Sequence, residues 1–157
     1  MTEAKANTEC SPGCPICAQI TLCERGQHPR LIAETSTAWA VMGQSQLFRG
    51  YSLLLCKAPA RELHELDTEP RQKYLQEMAL LAQAVFNATS PRKLNYECLG
   101  NIAGHLHWHI LPRHHEDLQP NSPVWSFWDQ QDETHFYQSE HDDALRLAIH
   151  EEMKRLS

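Results

Sequence analysis

Apolar positions along this chain repeat with two periods, and those periods predict its elements. Leu31-Ile32-Ala33-Glu34, Thr37-Ala38-Trp39-Ala40-Val41-Met42 and the largely apolar run Tyr51 to Cys56 read as three short strands, the last of them central. Residues 43–50, with two glycines and two glutamines, form the link into that last strand. Tyr74, Met78, Leu81, Ala82 and Val85 then recur at helical spacing, which predicts one amphipathic helix over 69–87. Asp67 or Thr68 stands at its cap, with Glu69 and Pro70 in the first turn. Pro91 closes the stretch that follows, because a residue before proline avoids the helical region. Lys93 to Leu99 reads as a further strand. A final helix over 140–155 uses Leu145, Leu147, Ile149 and Met153, with an imperfect stripe.

The period-two signal is cleanest from Gly104 to Arg113. His105, His107 and His109 alternate with Leu106, Trp108 and Ile110. A strand places the three imidazoles on one face and the apolar side chains on the other, whereas a helix would turn neighbouring histidines apart. Pro112 lacks an amide N–H for a ladder and is expected to end the strand. Gly100-Asn101-Ile102-Ala103-Gly104 leads in, and its glycines let backbone amides approach a ligand's oxygens.

A length of 157 residues fits one domain, 1–157, divided into an N-terminal arm (1–30), a core (31–115) and a C-terminal extension (116–157). The formal net charge of −6 and pI near 5.9 argue against coating nucleic acid, which needs clustered Lys and Arg. A small anionic substrate needs only a few local donors and remains open. No apolar run has membrane-spanning length, and the polar first residues lack a signal-peptide core, so no membrane partner and a cytoplasmic location are expected.

Three cofacial histidines allow three readings. One ring attacks an electrophile while its neighbours fix its tautomer and bind the anion; or the row chelates zinc; or all three are satisfied residues without chemistry. No carboxylate alternates with them, which counts against a metal centre. Six cysteines stand at 10, 14, 17, 23, 56 and 98, expected as thiols or metal ligands rather than disulfides. Cys14-Pro15-Ile16-Cys17 is a C-x-x-C, with Cys10, Cys23 and His28 nearby, and thiolates at this spacing can share a tetrahedral ion. Inert buried thiols are the default reading. The cluster Val124-Trp125-Ser126-Phe127-Trp128 either stacks on a base or packs the tail onto the sheet, the second being favoured.

The segment His105-Leu106-His107-Trp108-His109-Ile110-Leu111 resembles the signature of the histidine triad (HIT) family, His-φ-His-φ-His-φ-φ with φ apolar, at all seven positions. The resemblance takes in Leu94 to Asn101 and Gly50 to Lys57, the latter at the place of the family's Gly-His-hydrophobic strand. It implies an α+β fold: an antiparallel sheet of about five strands packed with one long helix and a C-terminal helix, two chains pairing as a homodimer. It implies a hydrolase or nucleotidyl transferase that attacks the α-phosphate of a nucleoside phosphate through a covalent nucleotidyl-histidine, without a cofactor for the chemistry. By motif position His107 is the nucleophile, His109 donates to a phosphate oxygen, and His105 orients the row and assists the leaving group. Asn101 fills the place of a polar residue that contacts phosphate. The spacing from Pro59 to His64 resembles the dinucleoside polyphosphate hydrolase branch. The alternative is a nucleotide-binding interaction protein with little turnover.

Two places depart from the family pattern. Gly43-Gln44-Ser45-Gln46 stands where many members carry an acidic residue on the ribose, leaving Gln44 or Ser45 as substitutes. Several members bind structural zinc through a similar C-x-x-C and histidines from elsewhere in the fold. Pro59 occupies the place of one such histidine, so a zinc site at Cys14 and Cys17 lacks a ligand and is not favoured.

Overall fold

A computed structural model describes residues 10–126 and 128–157; residues 1–9, and Phe127 of the aromatic cluster, lie outside the described residues. In chain order the elements are α1 (Pro15–Glu24), β1 (Leu31–Glu34), β2 (Ala38–Met42), β3 (Ser52–Cys56), α2 (Thr68–Thr89), β4 (Lys93–Glu97), β5 (His107–Arg113) and α3 (Ser139–Leu156). Short 3-10 turns at Leu63–Glu65, Val124–Ser126, Trp128–Gln130 and Glu133–His135 fill the connections. The five strands form one antiparallel sheet in the order β1-β2-β3-β5-β4, the α+β architecture expected.

Alternation along the strands sorts side chains onto two faces. Ala38, Ala40, Met42, Leu54 and Ile110 pack against Tyr74, Leu81 and Val85 of α2 and Ile149 and Met153 of α3. Trp39, Val41, Leu53, Leu55 and Leu111 form the opposite face, covered by Ile16, Ile20 and Cys23 of α1 together with Phe48, Tyr51 and Val124. His107 and His109 belong to this second face. Polar ties hold the layers in register. The Tyr74 hydroxyl donates to the Leu54 carbonyl at 2.9 Å. Glu77, buried on α2, accepts from the hydroxyls of Thr35, Ser36 and Thr37 and from two backbone amides of the β1–β2 turn. On α3, Arg146 donates to the Leu31 carbonyl at 2.8 Å and His150 to that of Ile32 at 2.6 Å, covering the β1 edge. Among the described residues no helix is long and apolar enough to cross a membrane.

Three expectations change. The N-terminal arm contains a helix: Ile16, Ile20 and Cys23 recur at helical spacing and are buried, and Pro15 occupies its first turn, where a missing amide costs nothing. The histidine strand begins at His107 rather than His105. Pro112 lies inside that strand instead of ending it. The Arg92 amide donates to the Arg113 carbonyl at 3.0 Å, so Arg113 faces β4 and the Pro112 nitrogen points the other way. On that side the pairing with β3 has already finished at Ser52 and Ile110, so no ladder bond is lost.

Candidate active site

The three imidazoles are each fixed by a different partner. His107 Nδ1 lies 2.6 Å from the His105 carbonyl oxygen. A carbonyl only accepts, so Nδ1 carries the proton and donates, which leaves the Nε2 lone pair bare. Nε2 of His107 has no hydrogen-bond partner among the described residues. His109 Nδ1 lies 2.7 Å from the Tyr51 hydroxyl, and burial raises the Tyr51 pKa well above its ordinary value. A neutral phenol can donate to Nδ1, an arrangement that puts the His109 proton on Nε2. His105 Nε2 lies 2.6 Å from the Cys56 carbonyl and must donate there, which turns its bare Nδ1 away from the row.

His107 and His109 stand with ring centroids 4.7 Å apart on β5. They are 6% and 9% exposed. Burial, and for His109 the neighbouring His107, holds both below the usual imidazole pKa, His109 at about 3. Both rings are therefore neutral at physiological pH. One offers a lone pair and the other an N–H, side by side: a nucleophile and an anion donor.

The row is roofed by aromatic side chains. Tyr51 stacks on His109 at 5.9 Å, and Trp125 meets the same ring edge-on at 5.4 Å. Trp128 packs edge-on against Tyr51 at 5.6 Å and stacks on Phe48 at 6.5 Å. The described tryptophans of the cluster thus pack onto the sheet, as favoured, and do so at the histidines. The buried indole N–H of Trp125 has no partner among the described residues. Arg113, also buried, donates to Asp117, Asn95, Ser122 and Gln119 and so ties this roof to the end of β5.

The remaining predicted positions line cavities whose walls do not include His107 or His109. Gln44 and Ser45 line a cavity of about 290 Å³ with Tyr51, Leu53 and Trp128. Asn101 is exposed and lines a separate cavity of about 280 Å³ with Arg61, Gly100 and Gly104. A Cβ built on Gly43 would lie 2.2 Å from the Tyr51 ring, so Tyr51 fills the room an acidic side chain at position 43 would take. Tyr51 and Trp125 were not among the sequence-predicted site residues. Tyr51 was marked only by its place after Gly50, where the family's histidine stands.

His105 stands at a second centre. Its Nδ1 is 2.9 Å from Cys10 Sγ and 3.3 Å from Cys17 Sγ. The ligand atoms of Cys10, Cys14, Cys17 and His105 all lie within 4.8 Å of one another. The default of inert buried thiols does not describe these cysteines, which are half-buried and clustered on one imidazole. Cys10 and His105 complete a set of four donors without a side chain from position 59. These four donors match the number and type of a closed structural zinc site.

The HIT domain family model matches residues 25–116, more than half of the chain. The chain belongs to the HIT domain family. Among solved structures it is similar to a histidine triad protein from Sinorhizobium meliloti, with 24% identity, a TM-score of 0.70, and 82% of this chain and 93% of that one covered. A histidine triad protein from Bradyrhizobium japonicum is similar at 22% identity and a TM-score of 0.71, over 78% of this chain and 89% of that one. A hypothetical histidine triad nucleotide-binding protein from Sulfolobus tokodaii aligns at 18% identity and a TM-score of 0.68, over 89% of this chain and 93% of that one. These likenesses are of fold. No curated protein sequence matches this chain significantly.

Proposed function

We propose that this chain is a hydrolase or nucleotidyl transferase acting at the α-phosphate of a nucleoside phosphate, with His107 as nucleophile. One observation carries the reading: His107 Nδ1–H is bound to the His105 carbonyl while its Nε2 stays bare beside the His109 ring. In the first step Nε2 bonds to phosphorus as the bond from phosphorus to the leaving oxygen breaks, and that oxygen takes up a proton. In the second, water attacks phosphorus, the nitrogen–phosphorus bond breaks, and the water's proton is released. A transferase substitutes another acceptor for water. His109 Nε2–H donates to a phosphate oxygen and matters most where charge develops. His105 acts on the row through its carbonyl, and Asn101 contacts the phosphate chain from its loop. The spacing from Pro59 to His64 supports dinucleoside polyphosphates as one substrate class to test.

The chain works as one domain, in the cytoplasm and apart from nucleic acid and membranes, and as a homodimer. Edge strand β4 and the loop after it, with Tyr96, Leu99 and Ile102 exposed, support that pairing. A second reading is a nucleotide-binding protein with little turnover; the near-complete burial of His107 favours it.

A product-resolved panel of dinucleoside polyphosphates, nucleoside phosphoramidates and adenylyl sulfate separates the two. The enzyme turns over at least one class, and His107→Ala lowers that rate by roughly a thousandfold or more. Binding without turnover across the panel supports the second reading instead.

A further inference from the structure

The side chains of Cys10, Cys14, Cys17 and His105 meet one another and not the bare nitrogen of His107, so the inference drawn from them does not depend on the activity proposed above. We propose that these four side chains hold one zinc ion, with Cys10 as this chain's own ligand in place of the histidine missing at Pro59. The site is a set of three thiolates and one imidazole.

Geometry supports it first. Zinc sits about 2.3 Å from thiolate sulfur and about 2.0 Å from imidazole nitrogen, so a tetrahedron has edges of roughly 3.5–3.8 Å. The four ligand atoms lie within 4.8 Å of one another, and Cys10 and Cys17 already stand 2.9 and 3.3 Å from His105 Nδ1. A single nitrogen lone pair accepts one S–H well, whereas three sulfurs converge on this one.

The tautomer supports it second. His105 Nε2 donates to the Cys56 carbonyl at 2.6 Å, which leaves Nδ1 unprotonated toward the sulfurs. A backbone carbonyl on the distal N–H is the usual orienting contact of a metal-bound histidine.

The chain path supports it third. Cys14 caps α1 and Cys17 lies in its first turn. The Cys14 amide bonds back to the Ser11 carbonyl at 3.1 Å, and Gly13 at φ +79° makes the tight turn that brings Cys10 round to the same side. Soft sulfur donors with one imidazole select zinc over magnesium or calcium. The ion would tie the N-terminal segment to the residue whose carbonyl holds His107 Nδ1–H, so it positions the nucleophile without touching substrate.

Metal analysis of the purified full-length chain tests this, with cobalt(II) exchanged for zinc as a spectroscopic probe. One equivalent of zinc per chain is expected. The cobalt protein should show a thiolate-to-metal charge-transfer band, whose intensity scales with the number of sulfur ligands. In Cys10→Ser that band falls from three thiolates' worth to two or is lost, while Cys98→Ser, at an exposed cysteine outside the cluster, keeps it whole. His107→Ala also keeps the band, so the result does not depend on catalysis. Wild type without stoichiometric zinc and without a cobalt band overturns the proposal, and so does a Cys10→Ser band equal to that of wild type.

Discussion

Tyr51 hydrogen-bonds His109, and Gly43 makes room for Tyr51. The hydroxyl reaches Nδ1 at 2.7 Å, and a Cβ at position 43 would collide with the ring. The lost acidic residue and the tyrosine in place of the family's histidine thus belong to one local rearrangement. Sequence marked the stretch from Gly43 as a departure but could not show that it touches Tyr51, because eight positions and a loop separate them. Tyr51→Phe keeps the packing and removes the donor. It is expected to lower kcat by about tenfold, the worth of one hydrogen bond in a closed site, with little change in stability. Steady-state kinetics on any substrate the wild type turns over checks it. His109 itself stays neutral far below physiological pH, its pKa pushed to about 3 by burial and then by His107. Its part is that of an N–H donor, not a cation.

The strands and the two long helices were legible from period alone, because one face of each is buried. The boundaries moved where tertiary contacts override local signals. Helix α2 runs on to Thr89 and stops at Ser90, in the left-handed region at φ +47°. The stripe of α1 is short and lies in a segment read as a polar N-terminal arm, although Ile16, Ile20 and Cys23 stand in plain helical spacing. Pro112 was read by its chemistry without its side of the ladder. Its neighbour across the gap is Gly50, at φ +96°, where an added Cβ would lie 2.6 Å from Thr89 Cγ2 and 3.2 Å from Pro112 Cγ. That glycine lets the β2–β3 link pass between the end of α2 and the proline of β5. Gly50→Ala is expected to cost about 2 kcal/mol or more through backbone strain and crowding, read as a lowered denaturation midpoint with an unchanged denaturant slope.

Across the whole molecule, burial of titratable groups sets the response to acid. His28 is 6% exposed, and burial, then the Arg30 charge, lowers its pKa from 6.5 to about 4. Below pH 6.5 the unfolded chain takes up a proton that the folded chain refuses, so stability falls as pH drops from about 6.5 toward 4. Glu77 adds to this at lower pH. Burial raises its pKa, but the hydrogen bonds from Ser36, Thr37 and Thr35 outweigh that and hold it below the ordinary carboxylate value. Its stabilisation is present above the unfolded carboxylate pKa and disappears as pH falls through the folded one. Chemical denaturation from pH 7 to pH 4 should show a steady loss of unfolding free energy, smaller in His28→Gln. A flat profile in the wild type contradicts this.

The seven-residue histidine signature made the family legible, because alternation with bulky apolar residues is specific. The partition of the row was not legible. Spacing places three rings on one face, yet only contacts from distant segments turn His105 to the cysteines and leave His107 beside His109. The most direct measurement is to trap the covalent state. A nucleoside phosphate labelled at the α-phosphate, quenched during turnover, should leave acid-labile label on the wild-type chain and none on His107→Ala. Label that persists on His107→Ala, or turnover in the wild type with no labelled protein at any quench time, contradicts a bond between this imidazole and phosphorus.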